Sequence, residues 1–378
     1  MKRVYQITLL VLTAILSFNL TACGYSNDLY ILNWDEYIDE SLITAFEEEY
    51  NCNVILEIAQ SNETMFSKIM SDAAPYDIAF PSDYMIGQMV LCDEEGIEAP
   101  IIKKIDVTKL ENYNVEKFDQ ALLKLIAGLN EDNDYCNLLD YSIPYFWGSL
   151  GIMYNTESLN ETQIATIKEK GWEVLFNKEL LGDVKIGMYA SARDSIASAL
   201  LHNGYSLNTK DETELSSAEK SLGGMNYHAW ATDELKTGVE SGKYDLALVY
   251  SGDYFDTLYS LYEESDDPTI TFDMYAPMNN NVFFDAMVIP KNSMNTDLAY
   301  KFIDFMLDYD NALQNASYVG YCPTQTEVYQ AMLNDSDFEG ITDKAVYYPG
   351  NITNGEIYKY LGTTAYEIYD RIYKKVKK

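Results

Sequence analysis

Histidine is almost missing from this chain, with only His202 and His228 in 378 residues, and positive charge is scarce. Lys and Arg number 26 against 60 Asp and Glu, for a formal net charge of −34. Two histidines, and no cysteines at CxxC spacing, leave no ligand set for a Cys/His zinc site. A chain this acidic repels phosphate backbones, which excludes nucleic acid as a partner. It leaves cationic partners open, although surface acidity also serves solubility alone. Nucleotide and hydrolase motifs are absent too: there is no P-loop, GxGxxG, GxSxG elbow or HExxH. No enzyme activity and no cofactor are expected, and any ATP chemistry would belong to another subunit. What is present is globular: 47% of residues are hydrophobic, which excludes wholesale disorder, and the length suggests two domains.

The N-terminus points outside the cytoplasm. Lys2 and Arg3 precede an apolar stretch from Ile7 to Leu20, shorter than a membrane-spanning helix requires. It ends in Leu20-Thr21-Ala22-Cys23, which resembles the lipobox of bacterial lipoproteins. That resemblance implies a signal peptide over residues 1–22 and a lipid on Cys23. The mature chain would then be tethered by lipid to the extracytoplasmic face of the cell membrane. An oxidising exterior permits bridges among Cys52, Cys92, Cys136 and Cys322, but spacing does not choose the pairing.

Hydrophobic periodicity predicts alternating strands and helices. Strands are expected at Leu29–Trp34, Val54–Ile58 and Tyr76–Phe80, with helices at about Asp39–Tyr50 and Asn62–Ala73 between them. That order implies a parallel sheet. Further strands are expected at Ser142–Tyr145, Gly148–Tyr154, Val184–Met188, Leu246–Tyr250, Ile270–Tyr275 and Val282–Ile289. Helices are expected at Asp194–His202 and Asp297–Leu307, with an amphipathic helix at the C-terminus whose tyrosines, Tyr366, Tyr369 and Tyr373, read as core or surface. The class is α/β.

Ligands of parallel sheets sit beyond the strands' carboxyl ends. There the sequence places Trp34-Asp35-Glu36-Tyr37, Pro81-Ser82-Asp83-Tyr84, Tyr189-Ala190-Ser191-Ala192-Arg193-Asp194 and Tyr250-Ser251-Gly252-Asp253, with Phe283-Phe284-Asp285 late in the chain. Aromatic rings stand beside carboxylates in each. Rings attract organic cations by about 0.5–2 kcal/mol apiece and pack their methylenes. Carboxylates supply the counter-charge that a buried ammonium requires. The chemistry suits a linear polyamine. Each residue has a plainer reading as well: core for Trp34 and Phe283, helix start for Glu36, turn for Asp253 and Asp285.

The chain resembles the spermidine/putrescine-binding proteins of polyamine ABC importers. The resemblance runs from about Leu29 to the C-terminus, through Leu32-Asn33-Trp34-Asp35-Glu36-Tyr37, Gln60-Ser61-Asn62-Glu63-Thr64-Met65, Tyr76-Asp77-Ile78, Tyr141-Ser142-Ile143-Pro144-Tyr145 and Gly320-Tyr321-Cys322-Pro323-Thr324. It implies a two-lobed, type II periplasmic-binding-protein fold with a hinge between discontinuous lobes. Lobe one is expected at about 28–145 plus 282–329, and lobe two at about 146–281 plus 330–378. The implied ligand contacts are Trp34, Asp35, Glu36, Tyr37, Ser82, Tyr84, Asp194, Tyr250, Asp253, Phe283, Asp285 and Tyr321. Arg193 reads as a buried partner for Asp194. Implied partners are putrescine or spermidine, permease subunits and, through them, a cytoplasmic ATPase; the protein itself is expected to be a monomer. Ser191 and Tyr358 stand where spermidine-preferring members have an acid and a glutamine, and Asp253 matches putrescine-preferring members. The balance leans toward the diamine. A site for another small cation, or a surface adhesin that has lost its ligand, remains the alternative.

Overall fold

The computed structural model describes residues 27–71, 75–130, 135–265, 268–335, 338, 340–342 and 344–377. The expected signal peptide and Cys23 lie outside the described residues. The chain opens as β1 (Asp28–Asn33), α1 (Glu40–Tyr50), β2 (Asn53–Ile58), α2 (Asn62–Met70), β3 (Ile78–Ala79) and α3 (Asp83–Leu91). The three strands are parallel, in the order β2-β1-β3. Local chemistry sets the helix ends. Asp39 caps α1 by accepting the Ser41 N–H, and Ser61 caps α2 by accepting the Thr64 N–H, each worth about 1 kcal/mol. Along α1, Leu42 and Phe46 face inward. Each such fully buried side chain contributes roughly 1.5–3 kcal/mol.

Strand β3 is shorter than the apolar run suggested, because Asp77 serves as a staple. Its buried carboxylate accepts the Tyr30 N–H on one oxygen, and the Ser293 hydroxyl and Asn295 N–H on the other.

After α4 (Gln120–Gly128), the two short strands expected around Gly148 form one, β4 (Ile143–Asn155), buried along its whole length. The remaining elements are α5 (Glu161–Lys170), β5 (Ile186–Tyr189), α6 (Ala192–His202), α7 (Glu212–Gly223), β6 (Ala229–Ala231), α8 (Glu234–Glu240), β7 (Leu246–Tyr250) and α9 (Ser251–Glu264). They continue through β8 (Phe272–Tyr275), β9 (Asn279–Met287), α10 (Thr296–Leu307), α11 (Tyr309–Val319), β10 (Cys322–Pro323), α12 (Thr326–Asn334), β11 (Asn354–Glu356) and α13 (Thr363–Val376). The second sheet runs β11-β9-β4-β7-β5-β6, with β8 and β10 also on β4. It is mixed: β4 pairs antiparallel with β7, β8, β9 and β10, whereas β5, β6 and β7 are mutually parallel.

Strands β4 and β9 join the two halves. The N-terminal part of β4 pairs with β9 and its C-terminal part with β7 and β8. Near the end of β9 and just past it, bridges Ser82↔Asp285 and Ala79↔Val288 reach β3 and the segment that follows it. Cys52, Cys92, Cys136 and Cys322 are all free thiols.

Candidate functional site

The ends of β1, β3, β5 and β7 converge where β9 passes between the sheets. Asp285 of β9 lies at the centre, 6% exposed. The Tyr37 hydroxyl donates to one of its oxygens at 2.7 Å, and the Ser82 hydroxyl to the other at 2.6 Å. Ser82 is in turn fixed by Asn62, whose amide N–H donates to its Oγ and whose amide oxygen accepts its backbone N–H. Burial pushes Asp285 up to about 6, although the two hydroxyls and, less strongly, the charge of Arg193 favour its ionised form. Among the described residues, no Lys or Arg forms an ion pair with it.

Rings wall this carboxylate. Tyr37 meets Tyr145, Phe146 and Tyr321 edge-on at centroid separations of 5.6, 5.4 and 5.2 Å. Tyr145 is held in place by the Asn315 amide and donates to the Tyr37 carbonyl. Tyr321 follows Gly320, whose left-handed backbone (φ 77°) ends α11, a geometry that favours glycine. Its ring lies against Gly252, where a Cβ would fall 1.7 Å from the ring. Only glycine at the start of α9 admits the tyrosine there.

The second carboxylate, Asp253, is in the first turn of α9 and 9% exposed. It accepts the Tyr250 N–H at 3.1 Å. Burial pushes it up to about 6; the nearby Lys236 opposes that shift. The Lys236 ammonium, however, is hydrogen-bonded to Asp256. Tyr321 is near both acids: its ring meets Tyr37, which binds Asp285, and lies against Gly252, which precedes Asp253. Phe283 and Tyr189 flank Tyr250 at 5.0 and 5.3 Å.

Two expected contacts, Tyr84 and Asp194, belong to a neighbouring cluster around Arg193. Asp194, 1% exposed, accepts from Arg193 at 3.2 and 3.4 Å, from the Tyr250 hydroxyl at 2.7 Å and from the Tyr358 hydroxyl at 3.1 Å. Burial works against its charge, but Arg193 and these donors hold it below the usual carboxylate range. The Arg193 guanidinium carbon lies 3.8 Å from the centre of the Tyr84 ring. Ser191 is the N-cap of α6. Asp83 is also buried here, accepting backbone N–H groups of Tyr84 and Phe284, and burial pushes it up to about 8 against the pull of Arg193.

Trp34 follows β1 directly and is half-buried, its Nε1 donating to the Phe80 carbonyl at 2.7 Å. Asp35 and Glu36 occupy an exposed turn at the rim, Glu36 with φ of 51°. A non-glycine residue in that region costs about 1–3 kcal/mol, which is tolerated most often at functional sites.

The profile of the bacterial extracellular solute-binding proteins matches residues 41–341. The chain belongs to that family. Within it, the protein is 31% identical over 358 residues to the spermidine/putrescine-binding periplasmic protein of Escherichia coli K12, covering 93% of this chain and 92% of that one. It is 27% identical over 318 residues to the putrescine/cadaverine-binding protein of Pseudomonas aeruginosa, covering 82% of this chain and 83% of that one. A crystal structure of the spermidine/putrescine ABC transporter substrate-binding protein of Streptococcus pneumoniae superposes with a TM-score of 0.73 at 31% identity, over 93% of this chain and 98% of that one. The α/β chain is thus a two-lobed solute-binding protein of the type II periplasmic class, and it works outside the cytoplasm.

Several residues around the site went unassigned at the sequence level. Tyr189 and Asp83 lie in strand-end segments, and Asn62 and Tyr145 lie in family motifs, so a signal existed for each. Asn315 reaches the site from α11, where no local pattern marks it, whereas Tyr358, which bonds Asp194, stood out only through the family resemblance.

Proposed function

We propose that the protein binds a linear polyamine in this site and presents it to the permease of an ABC importer, which a cytoplasmic ATPase drives. The reading rests on one observation above all: Asp285 and Asp253 are nine-tenths buried or more, walled by rings, and hydrogen-bonded by neutral donors, with no ion pair to either among the described residues. A buried charge without a counter-charge costs several kcal/mol. Two such acids near one tyrosine ring complement two ammonium groups joined by methylenes, and the rings add cation–π attraction. The names of the relatives agree with that chemistry.

Trp34, Tyr37, Ser82, Tyr250, Phe283 and Tyr321 line the ligand in this reading, with Asp35 and Glu36 closing the rim. The lobes are 28–145 plus 282–329 and 146–281 plus 330–378, and they close on the ligand by bending at β4 and β9. Closure shifts the population only as far as the ligand prefers the closed form. A lipid on Cys23 holds the monomer at the extracytoplasmic face of the cell membrane.

The test is calorimetric titration of the chain begun after Cys23 and stripped of bound ligand by unfolding and refolding. Putrescine, cadaverine, spermidine and spermine are compared with arginine, glutamate and Ca²⁺. One-to-one binding of a polyamine and none of the controls is expected. Folded protein that is silent to all four polyamines would overturn the reading.

A further inference from the structure

Successive residues of β4 face opposite ways. A Cβ at Gly148 would point at the Phe283 ring of the acid site, so Ser149 points away from it, into a second cavity of about 500 Å³. Ser149 forms the floor. Met274, Ala276 and Met278, on β8 and just beyond it, form one wall, and Val346 and Ile352 the other. The second wall is anchored by Tyr348, whose hydroxyl donates to Asp119 at 2.7 Å and whose ring stacks on Tyr329 at 4.8 Å. Ser149 is 1% exposed, and among the described residues its hydroxyl has no hydrogen-bond partner. Water or a bound group ordinarily completes a buried polar atom of that kind. Two lysines, Lys168 and Lys344, line the same cavity against one acid, Asp273. The Asp273 oxygens already accept from the Tyr154 hydroxyl and the Met274 N–H, each at 2.8 Å, and Lys168 stands 3.7 Å away. Among the described residues Lys344 forms no ion pair. In a chain of formal net charge −34, this is a local excess of positive charge.

We propose that this cavity is a second ligand site, which takes an aliphatic carboxylate with its head at Lys344 and Lys168 and its chain between β8 and the 344–352 segment. The proposal stands apart from the polyamine reading, because none of these residues belongs to the acid site. The volume lies within the range of about 300–1,000 Å³ usual for small-molecule sites, which join apolar walls to a few polar groups. Methionine side chains bend to fit a flexible chain, and two of them share one wall. The ring of Tyr348 is already stacked, so the walls offer an alkyl chain more than they offer an aryl ring. The head group follows from the lysines. A cation is repelled there, a neutral group leaves them unused, and a carboxylate accepts charge-assisted hydrogen bonds from both.

The experiment titrates octanoate, decanoate and 1-octanol into the chain begun after Cys23, by calorimetry, on the parent and on Lys344→Glu. One-to-one binding of both carboxylates is expected. Decanoate should bind about tenfold tighter than octanoate, since it buries two more methylenes, and octanoate about fivefold or more tighter than 1-octanol, which lacks the charge. Lys344→Glu should weaken octanoate by about tenfold, because it sets like charges together. Met278→Glu, at a cavity position 46% exposed, gives the same reading should Lys344→Glu fail to fold. A parent that binds neither carboxylate saturably overturns the proposal. So does octanoate that binds no better than 1-octanol, and so does a folded variant with the parent's octanoate affinity, which would place the binding elsewhere. Silence toward putrescine would remove the polyamine reading and leave this one standing.

Discussion

Asp285 owes its strength as a counter-charge to two hydroxyls. Without Tyr37 and Ser82, burial alone would keep it protonated further up the pH range. Tyr37→Phe keeps the ring and removes one hydrogen bond to a charged group, so putrescine affinity is expected to fall by about tenfold. Titration calorimetry reads that loss, and an unchanged affinity would show that the hydroxyl does not support the ligand. The same carboxylates set a pH dependence. Asp285 and Asp253 are held at about 6 in the ligand-free protein, and a bound ammonium lowers both. Binding therefore releases protons as pH falls toward 6 and below. Affinity is expected to be level above pH 7 and to weaken by about 10- to 100-fold on going from pH 7.5 to 5. Amines titrate near 10, so the ligand's own charge does not change over that range. Titrations in buffers of different ionisation enthalpy would count the protons, and a flat profile would contradict the assignment.

Helix α9 contributes a surface that a single methyl group would spoil. At Gly252 a new Cβ would lie 1.7 Å from the Tyr321 ring, a clash the ring must relieve by moving. Gly252→Ala is expected to weaken putrescine binding by about tenfold and to lower the thermal midpoint of the ligand-free protein only modestly, the overpacking costing about 1–3 kcal/mol. A parallel loss of folding would mean that Tyr321 is core and not wall. This contact also shows where sequence reading stops. Strand ends, caps and the aromatic–acid pattern are local, so Trp34, Ser82, Asp253 and Asp285 stood out from their neighbours along the chain. The length of β4 was not legible, because its continuity past Pro144 and Gly148 comes from pairing with strands roughly ninety residues or more away. Nor was the partner of Tyr84. The pattern offered its ring to a ligand, and the fold lays Arg193 across it. The C-terminal helix had the expected amphipathic pattern, but Tyr366, read as core or surface, stands 6.5 Å from Tyr84 and backs the site.

Across the whole molecule, function is set against stability. Asp83 is held at about 8, and Asp253 and Asp285 at about 6, all above the values near 4 of an unfolded chain. The folded state therefore binds these protons more tightly, and its stability falls as pH rises from about 4 to 8. The formal net charge of −34 adds repulsion in the same direction. Lowering the pH from 8 to 5.5 is expected to raise the melting temperature of the ligand-free protein by about 1–3 °C, and saturating putrescine to remove much of that slope. Scanning calorimetry with and without ligand decides it; a ligand-free midpoint that falls over this range would contradict the burial of these acids. The most direct measurement replaces Asp285 by asparagine and follows both putrescine affinity and thermal stability. The expected result is a loss of affinity of more than about a hundredfold, with a melting temperature equal to or above the parent's, because the isosteric amide no longer has to bury a charge. Asp285→Asn that binds putrescine as the parent does would contradict the central claim.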